Sequence, residues 1–220
     1  MNILFLILAR GGSKRLKNKN IRPLGDLPLI MWTINHAKLL SKTNNIFVST
    51  DDPRIKEISE SAGVNCPQLR PYELAKDETK TVDVVIHEIN CFENKYCKLD
   101  GVFLLQPTSP FREIKFTSDA LSIFLKEGNS VISVTNIKNK NKNAYVIEND
   151  FLQKVDNSKI YVKKTEKYYL TGSFYISTVK NLKKRKSFFS VNTTPYVIND
   201  KMLLIDIDYI EDFEEAEQYV

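Results

Sequence analysis

Four short apolar-rich runs punctuate the first 135 residues, and the stretches between them repeat their apolar residues at helical spacing. The runs are NILFLIL (2–8), NIFVST (45–50), GVFLLQ (101–106) and SVISVT (130–135). A strand that is apolar at successive positions, instead of alternate ones, is buried on both faces. Between the runs, Ile30, Ile34 and Ala37 share one helical face, as do Ile55, Ile58 and Ala62. Further on, Val82, Val85, Ile86, Ile89 and Tyr96 form a stripe, and Phe116, Ala120, Ile123 and Phe124 another. Strands alternating with helices of this length predict an α/β fold: a mostly parallel, twisted, right-handed sheet with flanking helices.

Local signals set the boundaries. Pro28 suits the first turn of a helix over 26–40. Asp52 caps the next helix, Pro53 takes its first position and Gly63 stops it. A short strand follows at 64–66, then helices over 81–96 and 114–127. Beyond residue 135 the pattern changes. Residues 136–169 are polar with short strand-like pieces and read as an inserted hairpin or small excursion from one domain made of 1–135 and 170–220. GSFYIS (172–177) and KMLLIDI (201–207) read as strands rejoining the sheet, and YIEDFEEAEQYV (209–220) as a closing helix.

A chain of 220 residues, 42% hydrophobic and 10% aromatic, can bury a substantial core, which excludes general disorder. No apolar run approaches the ~18 residues of a spanning helix. ILFLILA (3–9) leads straight into a basic loop, with no charged region before it and no cleavage site behind, so it reads as a buried strand. The expectation is a cytoplasmic protein with no membrane partner. Cys66, Cys91 and Cys97 make neither a disulfide framework nor zinc-ligand spacing. The net charge of +5 is modest, and the clusters KNKNK (138–142) and KKRK (183–186) are explained more simply as solvated faces than as a nucleic-acid surface.

In an open parallel sheet the ligand crevice lies beyond the carboxyl ends of the strands. Three polar loops fall there: Ala9 to Arg15 after the first strand, Ser49 to Asp52 after the second, and Gln106 to Pro110 after the third. The first loop, within ILARGGSKRLKNKN (7–20), carries five cations and a glycine pair. Gly11 and Gly12 let the backbone approach an anion, and Arg10, Lys14 and Lys19 offer charge to phosphates. A solvated basic turn is the plainer alternative. The spacing matches neither a Walker A loop nor G-x-G-x-x-G, which disfavours P-loop NTPases and dinucleotide dehydrogenases. In LLQPTSPFR (104–112), Gln106 carries both a donor and an acceptor and can read a base or sugar edge. The alternative there is a rigid proline loop whose hydroxyls cap the next helix.

Asp206 and Asp208, two apart, share one face of an extended segment and can hold a hard divalent cation. Asp208 with Glu211 also resembles a capping box for the last helix. His36 and His87 sit mid-helix beside apolar neighbours, and Trp32 reads as core. Arg70, before Pro71, has by itself no assigned role beyond a surface ion pair.

Taken in order, ILARGGSKRLKNKNI, IFVSTDD, LRPYELAKDET, LLQPTSPFR and LLIDIDYIEDFEEAE resemble the acylneuraminate cytidylyltransferases, or CMP-sialic acid synthetases. The likeness runs from residue 3 to about 135 and from 170 to the end. It implies a nucleotide-diphospho-sugar-transferase type of fold, Rossmann-like, and a homodimer whose excursions reach the neighbouring site. It implies transfer of CMP from CTP to a nine-carbon 2-keto sugar acid, with Mg2+ and release of pyrophosphate. By the same likeness Arg10, Ser13, Lys14, Lys19 and Asn20 form the CTP-phosphate loop shaped by Gly11 and Gly12, and Arg70 is a nucleotide contact. Gln106, Thr171 and Gly172 face the sugar acid, Asp206 and Asp208 hold the metal, and Arg10, Lys19 and Asp206 are the catalytic residues.

Such a reaction needs charge neutralisation and in-line positioning more than a protein nucleophile. The chain departs from the family pattern before GSFYIS: Thr171 stands where Asn is usual, and Lys163, Lys164 and Lys167 are the nearby cations. The acceptor is thereby left open among sialic, legionaminic, pseudaminic and related acids. The alternatives are another sugar nucleotidyltransferase, such as a CMP-Kdo synthetase or an NDP-sugar pyrophosphorylase, and a non-catalytic nucleic-acid binder.

Overall fold

The first apolar run forms the spine of the sheet. In the computed structural model, which describes residues 1–41, 45–137, 143–155 and 166–220, Leu4, Leu6 and Ile7 of that run are fully buried. The first half of the chain gives β1 (Ile3–Leu8), a short pair β2 (Pro23–Leu24) and β3 (Leu27–Pro28), α1 (Leu29–Leu40), β4 (Ile46–Ser49), α2 (Pro53–Ser61) and α3 (Thr81–Lys95). Then come β5 (Gly101–Leu105), α4 (Ile114–Glu127), β6 (Val131–Thr135) and a hairpin of β7 (Ala144–Glu148) and β8 (Phe151–Lys154). The chain closes with β9 (Tyr168–Thr178), α5 (Val179–Arg185), β10 (Thr194–Val197) and α6 (Ile210–Glu217).

The main strands lie in the order β10-β6-β9-β5-β1-β4. β1 pairs in parallel with β4 and β5, and β10 with β6, whereas β9 is antiparallel to both β5 and β6. The expected mostly parallel α/β sheet is therefore present, with one reversed strand at its centre. Alternation along β1 feeds two cores. Ile3, Phe5 and Ile7 join the side chains of α1, α2, α4 and α6, and Leu4 and Leu6 join those of α3 and α5. Helices cover both faces, as a sheet apolar on both sides requires.

The Asp52 cap is present: its carboxylate accepts from Arg54 N–H at 2.9 Å, with Pro53 opening α2 and Gly63 in the left-handed region beyond its end. Four expectations shift. Pro28 stands just before α1, not inside it, because it belongs to the β2–β3 pair. Residues 64–66 make a single bridge, Asn65 to Phe47, and no strand. GSFYIS is the later part of the longer β9. KMLLIDI is not a strand: Met202–Leu204 is a 3-10 turn, and the residues after it bond to loops. Ile207 N–H donates to Thr108 O at 2.7 Å, and Ile207 O accepts from Lys19 Nζ at 2.6 Å. The strand that fills the edge beside β6 is β10 instead.

Within the polar excursion, β7 pairs with β9 through Ala144 and Tyr145, and Tyr145 and Leu152 are buried in the second core. The cluster at 138–142, together with Lys163 and Lys164, lies outside the described residues. Among the described residues no helix is long and apolar enough to cross a membrane.

His36 joins α1 to α4 through a 2.9 Å hydrogen bond between Nε2 and Thr117 Oγ1. Burial, helped by the Arg112 charge, pushes its pKa down to about 3. An unfolded histidine titrates near 6.5. Below that pH the unfolded chain takes up a proton that the folded chain refuses, so this residue lowers stability as pH falls toward 3. His36→Gln should remove up to about 1.4 kcal/mol per pH unit of acid sensitivity between pH 4 and 6. Urea unfolding across that range measures it, and an unchanged slope refutes it.

Candidate active site

The chain leaves β1 through α1 to β4 on one side and later returns to β5 on the other, so a crevice opens past the carboxyl ends of β1 and β5. The cavity there measures about 660 Å3. Leu8, Val84 and Leu104 give it an apolar wall. Its polar lining brings together Arg10, Ser13, Lys14, Lys19, Asn20, Arg70, Gln106 and Asp208.

Two carboxylates share four of the loop's five cations. Asp77 pairs with Arg10 at 2.5 Å and with Lys14, and Asp208 pairs with Arg15 at 3.0 Å and Lys19 at 2.9 Å. Lys14 first, then Arg10, hold the Asp77 carboxyl below its ordinary range, and the hydrogen bond to Asp77 raises the Lys14 ammonium in return. The Lys19 ammonium is also bonded to Ile207 O, so it fastens the loop to the segment bearing the acidic pair.

The glycine pair has a more specific use than general backbone freedom. A Cβ at Gly11 would lie 2.7 Å from Asp52 Cβ, so the close neighbour is a side chain of the second loop. Gly11 N–H donates to Asp51 Oδ1 at 2.9 Å, and this N–H therefore serves the loop's own structure. Gly12 faces open space. Asn20 Nδ2 donates to Arg10 O at 2.9 Å, while its buried Oδ1 has no partner among the described residues. A lone acceptor suits a donor such as a hydroxyl or amino group better than a phosphate oxygen.

Arg70 is held from behind. Its Nε donates to Ser49 Oγ at 2.9 Å and its Nη2 to Ser49 O at 2.6 Å, and Ser49 Oγ donates to Glu88 Oε1 at 2.7 Å. All three residues are buried. Burial pushes the Arg70 pKa down and the Glu88 carboxylate pulls it back up.

A second cavity of about 320 Å3 adjoins the first through Gln106, which lines both. Its other walls are Asn143, Tyr145, Leu170, Gly172, Tyr175 and Asp206. Gly172 has φ +92, and a Cβ there would lie 3.1 Å from Asp206 Oδ2, so conformation and space both call for glycine. Thr171 lines neither cavity. It is buried, donates to Ser133 Oγ at 2.6 Å and accepts from Ser173 N–H at 3.1 Å. It thus closes the irregularity where the β6–β9 register shifts between Ile132 and Val134.

Ile205 and Ile207 are buried while Asp206 and Asp208 turn outward, as alternation in an extended segment requires. The two carboxylates nevertheless line different cavities. Asp208 is not the helix cap. The Asp212 carboxylate accepts from the N–H groups of Asp208 and Tyr209 at 2.9 and 2.8 Å and caps α6, leaving the Asp208 side chain to the cations. Among the described residues no group of three or more His, Cys, Asp or Glu side chains could hold a metal. The two carboxylates line separate cavities that share Gln106, and two such ligands suit Mg2+ where substrate phosphates and waters complete its shell.

Sequence reading gives no role to Asp77 and Glu88, and it places Arg15 and Ser49 in the rim loops without assigning them one. Asp77 lies within LRPYELAKDET, but nothing in its spacing shows that it meets Arg10 and Lys14 across the crevice. Glu88 shares a helix with an apolar stripe and reads as solvated until α3 is packed.

The fold and this crevice define an α/β enzyme built to handle a phosphorylated, nucleotide-sized ligand. The cytidylyltransferase family profile matches residues 4–220. The chain is 37% identical to CMP-N,N'-diacetyllegionaminic acid synthase of Legionella pneumophila, with 94% of this chain and 91% of that protein covered. It is 32% identical to N-acylneuraminate cytidylyltransferase of Escherichia coli over 97% of this chain and 51% of that longer protein. In structure it resembles a CMP:2-keto-3-deoxy-manno-octonic acid synthetase complexed with CTP, with a TM-score of 0.74 at 13% identity over 100% and 98% of the two chains. The chain belongs to the cytidylyltransferase family and is a nucleotidyltransferase.

Ser49→Ala would leave the buried Glu88 carboxylate without its hydroxyl donor and Arg70 without one acceptor. A loss of about 1–3 kcal/mol is expected. Denaturant unfolding checks it, and a change below about 0.5 kcal/mol, the size of an ordinary surface substitution, refutes it.

Proposed function

We propose that this enzyme transfers CMP from CTP to the anomeric hydroxyl of a nonulosonic acid, a nine-carbon 2-keto sugar acid of the sialic, legionaminic or pseudaminic type. The observation that carries the proposal is the larger cavity. Its basic loop, Arg70 and Gln106 converge at the switch point of a family member whose relatives are named for such transfers. The sugar hydroxyl oxygen attacks the α-phosphorus, the bond to the bridging oxygen breaks, and pyrophosphate leaves with the electron pair. The hydroxyl proton passes to solvent or to a carboxylate nearby.

In this assignment Arg10, Lys14 and Ser13 receive the phosphates at the cavity mouth, and Arg70 meets the nucleotide from the β4 side. Asn20, whose buried acceptor has no partner among the described residues, takes a hydroxyl or amino donor of the nucleoside. Lys19 acts chiefly by holding Asp208 and Ile207 in place. Gln106 spans the boundary between nucleotide and sugar acid, and Gly172 and Asp206 belong to the acceptor side. Thr171 supports that side through Ser133 without facing the sugar. Asp206 and Asp208 would hold Mg2+, which supplies charge neutralisation at the phosphate oxygens. The enzyme works in the cytoplasm as a homodimer whose excursion lies near the acceptor cavity; the pairing of β7 with β9 supports the latter placement.

Incubation with CTP, Mg2+ and a panel of nonulosonic acids should release pyrophosphate with at least one acid, and UTP, GTP and ATP should not substitute. Failure with every acid, together with no CTP binding, sinks the assignment.

Asp77 occupies the two cations intended for phosphate. Asp77→Asn should therefore tighten CTP binding roughly two- to fivefold at low salt and steepen its salt dependence, because exposed ion pairs compete only weakly. Calorimetric titration measures both, and weaker or unchanged binding counts against the phosphate role of Arg10 and Lys14.

A further inference from the structure

Arg112, the last residue of LLQPTSPFR, lines neither cavity, yet it holds what lies between them. Its Nη1 donates to Thr33 Oγ1 of α1 at 2.9 Å. Its Nε and Nη2 donate to Ser173 O at 3.2 and 3.0 Å, and Nη2 donates also to Gln106 O. One planar group thus joins α1, the irregular part of β9 and the residue that follows β5.

The two carbonyls it grips belong to strategic positions. Gln106 is shared by both cavities, and Ser173 directly follows Gly172, over which the Asp206 carboxylate lies. Burial pushes the Arg112 pKa down to about 9, opposed by the Asp206 charge, so the group stays cationic at neutral pH. A guanidinium presents its donors in one rigid plane, whereas a lysine ammonium cannot hold three acceptors on three elements at fixed separations. A charged group partly buried against neutral oxygens is an expensive way to fasten a fold, since an apolar side chain would fasten it as well.

We propose that Arg112 is a positioning residue for the transfer: by clamping the Gln106 and Ser173 carbonyls it fixes the spacing and angle between nucleotide cavity and acceptor cavity. The proposal rests on the transfer assigned above. Its effect falls on the rate of the chemical step, because a displacement of about 1 Å between reacting groups lowers turnover by up to about 100-fold while each substrate still binds.

Arg112→Lys, Arg112→Ala and Thr33→Val test it. Thermal melting would be recorded for each, with kcat and the separate KM values for CTP and the sugar acid. Arg112→Lys should lower kcat roughly 10- to 100-fold with KM for CTP within about twofold of wild type. In Arg112→Ala, added guanidinium or ethylguanidinium should restore part of the lost kcat. Thr33→Val, which frees one side of the clamp, should lower kcat roughly threefold to tenfold with little change in melting temperature. Wild-type kcat in Arg112→Lys overturns the proposal, as does a loss that tracks the melting temperature and resists guanidinium. If the alanine chain does not fold, unchanged kcat in Thr33→Val overturns it. Absence of turnover in the wild-type chain removes the transfer and the clamp's part in it together; normal wild-type turnover with an indifferent variant removes the clamp alone.

Discussion

Five like charges follow β1 in one loop, and two aspartates from distant parts of the chain offset four of them. Asp77 arrives from the segment preceding α3, and Asp208 from the segment preceding α6. Each bridges two cations, so two remote stretches of backbone meet at a single loop. Lys19 extends the same constraint, since its bond to Ile207 O holds residues 205–208 extended beside the crevice and outside the sheet. The architecture of the rim is in this sense electrostatic, laid over a sheet that hydrophobic burial alone would build.

Behind the rim, neutral polar contacts take over. Ser49 relays between Arg70 and Glu88, and Ser133 receives Thr171 where the β6–β9 ladder loses register. Both serines are buried hydroxyls with partners on either side, and such fully satisfied networks specify geometry more sharply than apolar packing does. The outward parts of the site are more open by comparison: Lys14 is exposed, and Arg10 and Asp208 are half-buried.

The fold was legible wherever the chain is buried on both faces. Continuous apolar runs gave β1, β4, β5 and β6 within a residue or two, and helical stripes gave α2, α3 and α4, with a cap read for α2, because burial and local hydrogen bonding both act over short spans. KMLLIDI misled because its apolar alternation is real: Ile205 and Ile207 are buried, but their backbone groups bond to Lys19 and Thr108 instead of a neighbouring strand. The reversal of β9 left no trace in composition, since a central strand looks the same in either direction. For the site, the loop residues and Gln106 could be found from charge and hydrogen-bonding type at strand ends. Their partners could not, because Asp77, Glu88 and Ser49 acquire meaning only when segments 20 to 70 residues apart meet. Thr171 reads as a sugar-side residue by analogy of position, and its burial and its bonds to Ser133 and Ser173 appear only once β6 and β9 are paired.

The reversed strand carries an evolutionary consequence. β6 ends and β9 begins on the same rim of the sheet, where Thr135 pairs with Tyr169, so the stretch between them starts and finishes side by side. Closing such a detour grows more costly only as the logarithm of its length, about 0.6 kcal/mol for each doubling. Outside the buried Tyr145 and Leu152, changes of length and charge in that detour can therefore accumulate while β1, β5 and the turn behind β1 keep their places, leaving descendants free to diversify at one end of the crevice and conservative at the other.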